Sequence, residues 1–274
     1  LDDPAQAARA WQRILAIAPR TGRALRTLRE SFIAARDWTG LEALYAEAGD
    51  WEGLVDVLGS AAERSDDPEL TKELSFRAAA IYEEQLGKPE RAFRSYERVR
   101  AIDAEDARAA RALVPIYEGQ EKWARLRSLH DVLLAAEAED DVDARLARLA
   151  TLQELSARRL GDEAAAFAYA RKGYDLAPER PETLTRLEEA AELEGRWADL
   201  VAVLEARLAK VTAADSSPGA ARETMSLRRR LAKLSGERLG RSDEAIAQLR
   251  SNLAADPDDA EALAELDGHY RAEG

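Results

Sequence analysis

The sequence predicts an all-α chain built as an α-solenoid, and three observations predict it. The chain repeats itself. Moved by 85 positions, residues 1–41 fall on 86–126 without a gap, so that Leu1, Pro4, Ala7, Trp38 and Leu41 meet Leu86, Pro89, Ala92, Trp123 and Leu126. A further move of 74 takes Leu86-Gly87 to Leu160-Gly161 and Trp123 to Trp197, and one of 79 takes Leu160-Gly161 to Leu239-Gly240. Self-similarity at such periods marks an array whose single repeats cannot bury their own apolar faces. Second, Ala, Leu, Glu and Arg, all strong helix formers, dominate the composition. Third, apolar residues recur at helical spacing, as in Leu146, Leu149, Leu152, Leu155 and Leu160. No segment alternates apolar and polar residues long enough to read as a strand.

Periodicity and stop signals together divide the chain into about fifteen antiparallel helices with short loops. Helix 3–17 carries Ala7 and Trp11 and stops before Pro19, and 22–35 follows it. Helices 38–48 and 51–64 each open on Trp-x-x-Leu, and the 11 residues by which the first offset exceeds the second form the shorter of them. Helix 67–86 ends at Leu-Gly, where glycine takes a positive φ at little cost. Helices 89–102, 106–119 and 122–138 complete that unit, with Pro115 expected to kink the second of them. The next unit runs 141–160, 163–177, 181–194 and 197–212, and the last 219–239, 242–255 and 259–272. Pro178 and Pro257 follow helices they cannot continue. The linker 212–219 absorbs five extra residues and is the expected site of proteolytic nicking. The array thus divides near 1–66, 67–140, 141–217 and 218–274. Both ends fall inside a repeat, which predicts a piece of a longer array, or ends that pack end to end against another copy.

Ala92-x-x-x-Tyr96, followed eight residues later by a reversal at Ala104, resembles the second helix of a tetratricopeptide repeat (TPR). Ala7, Trp11 and Pro19, and Ala245, Leu249 and Pro257, repeat the pattern. Of the family's first-helix signature only Phe76 and Tyr82 stand near their places, and the turn at Leu-Gly carries one residue more. The chain therefore resembles a diverged, bacterial-type TPR-like array. The resemblance implies a right-handed superhelix whose first helices line a concave groove for a protein or peptide. Recognition of a C-terminal carboxylate by paired Asn and Lys is not expected, because the single Asn252 falls on a second helix.

Composition excludes several classes of chemistry. With 40 basic and 53 acidic residues the net charge is −13, which disfavours nucleic acid, although a local basic face stays open. The absence of Cys rules out disulfides and thiol chemistry and leaves the compartment unreadable, cytoplasmic by default. No signal peptide or membrane span is visible. His130 and His269 have no second ligand at metal spacing, and no phosphate-loop, dinucleotide or nucleophile-elbow string occurs, so no cofactor, metal or enzymatic activity is expected. The five Trp occupy repeated slots, and residues that recur at a structural period are read as packing. Arg228-Arg229-Arg230 cannot share one helix face, since successive residues point about 100° apart.

One candidate surface remains. In the family's register the first helices present Arg23 and Arg26, then Arg77, then Arg108 and Arg111, whereas the later equivalents are Glu182, Thr185 and Glu261. The groove is expected to be basic in its N-terminal half and neutral to acidic beyond. Planar, bidentate guanidinium groups suit carboxylates, so an acidic protein segment is the expected ligand. Alternatively these arginines pair with neighbours such as Glu30 and Glu73, and the chain is a spacer or self-associating module with an empty groove.

Overall fold

The structure is a computed structural model that describes residues 22–214 and 217–273, with side chains described over 25–213 and 217–271. Fourteen α-helices follow one another there, and no strand occurs among the described residues. They are α1 (Gly22–Ala35), α2 (Trp38–Ala48), α3 (Trp51–Arg64), α4 (Pro68–Ala80), α5 (Phe93–Ile102), α6 (Ala107–Gly119) and α7 (Trp123–Ala136) in a first compact unit, Leu1–Ala136. The second unit, Glu137–Gly274, holds α8 (Val142–Glu154), α9 (Glu163–Leu176), α10 (Pro181–Glu194), α11 (Trp197–Ala214), α12 (Pro218–Lys233), α13 (Ser242–Ala255) and α14 (Ala260–Glu273). Within each unit every helix packs on its neighbours in the chain, the pattern of an α-solenoid. The helix expected at 3–17, with Trp11, lies outside the described residues.

Eight of the described helices start on a side-chain cap. Asp37, Asp50, Asp106, Asp141, Asp162 and Asp259 each accept a hydrogen bond from the backbone N–H three residues on, at 2.8 to 3.1 Å. Asp67 and Ser217 cap α4 and α12 in the same way. Each cap satisfies a donor the first turn leaves open, and the carboxylates also meet the positive end of the helix dipole.

Two kinds of hairpin turn recur, and from α4 onward they alternate. Before every described Trp helix the chain closes tightly, with bonds from Asp37 to Phe32, Asp50 to Tyr45, Lys122 to Tyr117 and Arg196 to Ala191 at 2.7 to 3.1 Å, and one left-handed residue in between. That residue is Gly49 or Gly195 in two turns but Arg36 and Glu121, both at φ 53°, in the others. At Leu-Gly the turn is wider. The α-helical part of each long first helix ends early, and Ile81–Gln85, Leu155–Leu160 and Leu234–Arg238 form π turns. They close through bonds six residues apart, from Lys88 to Tyr82, Asp162 to Ser156 and Arg241 to Ser235. The extra residue seen at Leu-Gly in the sequence is thus absorbed as a π turn, which the expected uniform helices 67–86, 141–160 and 219–239 did not include.

Smaller differences have local causes. Residues Pro89–Arg91 form a 3₁₀ turn before α5. α6 continues through Pro115, whose ring costs one backbone donor but does not end the helix. α11 runs on to Ala214, so the linker after it is shorter than expected.

Packing follows the repeat. Ala92, Ala166 and Ala245 are fully buried at the close approach of the two helices of a hairpin, and Tyr96, Ala170 and Leu249 are buried one turn on. In the first unit Leu28, Leu41, Leu54, Leu58 and Leu74 form the core with Trp38, and Trp51 packs against it. In the second, Leu187, Leu200, Leu204 and Leu231 do so, with Trp197 alongside. Burying one such leucine contributes about 1.5–3 kcal/mol. The recurring Trp slot is a packing slot in each described copy where the core is traced.

Candidate functional site

The first helices of the first unit carry the arginines singled out above. Arg23 lies on α1, and its side chain is outside those described. Arg26, also on α1, is exposed and forms no ion pair among the described residues. Arg77, on α4, is held from two sides, by Glu42 of α2 at 2.8 Å and by Glu73, one turn back, at 3.0 Å. Burial opposes its charge, and the two carboxylate hydrogen bonds outweigh that effect, keeping it fully protonated. Glu42 belongs to the helix formed by the extra residues of the first repeat. Arg108, on α6, lays its guanidinium 4.3 Å from the centre of the Phe76 ring. Arg111, one turn further along α6, is exposed.

Phe76, the neighbour of Arg77 on α4, thus carries Arg108 of α6, while Arg77 itself is held by the two carboxylates. This removes Arg77 from the free basic face. Of the two expected salt-bridge partners, Glu73 takes Arg77, while Glu30 is exposed and has no ion pair among the described residues. Sequence reasoning missed Glu42, whose only signal is its place in the inserted helix, and gave Phe76 no role beyond the family pattern. Behind this face, Tyr96 donates to Glu83 at 2.8 Å, and burial followed by the Glu83 carboxylate raises its hydroxyl pKa.

In the second unit the expected acidic positions divide. Glu261 pairs with Arg229, and Thr185 turns its hydroxyl back on the Pro181 carbonyl at 3.1 Å. Glu182 is exposed and, among the described residues, has no ion-pair partner. The triple arginine resolves onto separate neighbours. Arg228 reaches the Ser251 carbonyl at 3.4 Å, Arg229 the carboxylate of Glu261, and Arg230 both carboxylate oxygens of Glu188. Asn252 is buried and donates to the Met225 carbonyl at 2.9 Å, so it is not available to a ligand's carboxylate.

No cluster of His, Asp and Glu at metal-holding distances occurs among the described residues. His130 is buried on α7, and His269 lies over Gly236, where an added Cβ would come 2.5 Å from its ring. Both are packing residues in this structure. No helix among the described residues is long and apolar enough to cross a membrane.

No family model and no curated protein sequence matches this chain. Among solved structures it is similar to that of YrrB, described as a TPR protein with an unusual peptide-binding site, at 16% identity over 70% of this chain and 90% of that one, with a TM-score of 0.32. It is similar also to the C-terminal part of a TPR repeat-containing protein from Cytophaga hutchinsonii, at 12% identity over 96% and 94% of the two chains and a TM-score of 0.33. A tetratricopeptide repeat protein from Parabacteroides merdae shares 16% identity over 97% and 99%, with a TM-score of 0.31. With its buried alanines Ala92, Ala166 and Ala245, its sequentially packed helices and its repeated reversals, this chain is an all-α helical-repeat array.

Proposed function

We propose that the chain is a non-catalytic protein-interaction scaffold whose first helices form the binding face, and that the first unit takes an acidic protein or peptide segment there. The observation that carries this reading is the state of Arg26, Arg108 and Arg111. All three are exposed on first helices, and none is neutralised by a carboxylate among the described residues. Arginines of a mere solvated face in a chain with a surplus of acid would find glutamates, as Arg77 does. Arg108 is moreover pre-oriented by its stack on Phe76, which lowers the entropy lost on gripping a carboxylate.

The competing reading, a spacer with no groove ligand, draws on Arg77, whose double pairing leaves it nothing to offer. The two separate in a titration of a fluorescein-labelled glutamate-rich peptide with the chain and with an Arg26→Glu, Arg108→Glu, Arg111→Glu variant of equal helicity. The scaffold reading expects binding that the variant loses. Equal anisotropy curves for both proteins would leave the spacer standing.

A further inference from the structure

We propose that the groove between α8 and α10 of the second unit holds a Lys- or Arg-bearing segment of a protein partner, the charge opposite to that expected at the first unit. The π turn after α8 and the facing side of α10 border an open groove of about 710 Å³. A smaller space of about 200 Å³ adjoins it and shares Gln153, Glu182 and Arg186 as lining.

Gln153 supplies the decisive observation. It is only 9% exposed, and its Nε2 donates to the Arg186 carbonyl at 3.2 Å, which fixes the orientation of the amide. Its Oε1 is then a buried acceptor with no partner. Leaving such an atom unmet is costly, so native interiors rarely do it without a reason. An N–H donor that reached it from the groove would satisfy it, and a carboxylate would not.

The surroundings select the same ligand. Glu154 is engaged by Arg158 at 2.8 Å. That leaves Glu163, Glu182 and Glu189 along the groove, none with an ion-pair partner among the described residues, against the single guanidinium of Arg186. Beside them stand Ala157, Ala190 and Leu193, the last 59% exposed. An apolar wall next to carboxylates fits the aliphatic stem and charged head of a lysine or arginine. The occupant is an extended segment with a cationic side chain flanked by apolar residues.

The test titrates the full chain with two labelled peptides, identical runs of Ala and Leu around a central residue that is Lys in one and Glu in the other. The Lys peptide is expected to bind at least about tenfold more tightly than the Glu peptide. A Glu182→Gln, Glu189→Gln variant should weaken it by about tenfold, since both side chains are exposed and their loss leaves the fold intact. Gln153→Leu should weaken it with charge unchanged, and a control pair elsewhere, Glu47→Gln with Glu90→Gln, should leave it unaltered. Equal binding of both peptides, or an equal loss in the control pair and the groove pair, would overturn the proposal. If Gln153→Leu lowers helicity, the groove pair against the control pair decides alone. The arginine triple variant of the first unit leaves this binding untouched, so the two proposals fail separately.

Discussion

The two units are built from the same repeat, yet they treat their first-helix charges in opposite ways. In the first, the inserted helix α2 brings Glu42 onto Arg77, and Phe76 holds Arg108, so the basic face is partly neutralised and partly fixed in place. In the second, Arg229 and Arg230 are taken by Glu261 and Glu188, and the carboxylates of Glu182 and Glu189 have no ion-pair partner among the described residues. An array of equivalent scaffolds can therefore carry different binding chemistry at each copy, because packing positions must repeat and first-helix surface positions need not.

The comparison rests on two equally sound cores, which the largest expected effect checks. Leu58→Ala in the first unit and Leu204→Ala in the second, both fully buried, should each destabilise by about 2–5 kcal/mol in urea unfolding. A loss well below this at one site would show that unit to be loosely packed. Next, Asp106→Ala removes the cap of α6, the helix that presents Arg108 and Arg111. It should cost about 1 kcal/mol and weaken acidic-peptide binding, whereas Asp162→Ala, at α9, should cost the same without touching that binding.

The tight turns offer a finer contrast. Glu121→Gly should raise stability by about 0.5–1 kcal/mol, because glycine takes φ 53° without a Cβ penalty, and Gly195→Ala should lower it by a similar amount. Thermal midpoints moving the same way for both would contradict the left-handed assignment.

The smallest effect is a pH dependence. A hydrogen bond from Lys72 holds the Asp103 carboxyl below its usual range. A carboxyl depressed in the folded state stabilises above its unfolded pKa, and the gain disappears as pH falls through the folded value. The difference in melting temperature between the native chain and Asp103→Asn should therefore be present at neutral pH and vanish in acid, and should shrink with added salt.

The helices were largely legible because their start and stop signals are local. Asp at a cap, Gly after a last turn and Pro beyond it act within a few residues, and α1, α2, α3, α10 and α13 have the bounds expected from the sequence. The π turns were not legible as such. The extra residue at Leu-Gly was visible, but whether a chain absorbs it in a loop or in a wider helical turn depends on the hairpin partner packed across it. The candidate surfaces were legible in charge and not in pairing. Arg77 and Glu42 are 35 residues apart, and nothing local joins them. Gln153 did leave a trace, as a polar residue set in the leucine stripe of α8, yet its unpaired oxygen depends on the Arg186 carbonyl of a helix still to come.

The alternation of wide and tight turns sets what can be inherited or engineered as a piece. From α4 onward, a duplication or deletion of one hairpin would set two wide Leu-Gly turns side by side, which no described copy contains, or two tight Trp turns in succession, which the described residues show only around the inserted helix α2. Only the exchange of two hairpins at a time, four helices, leaves every junction as it was. Chimaeras cut at Leu-Gly in one array and rejoined at Leu-Gly in another should therefore assemble, while cuts half a period out of phase should not.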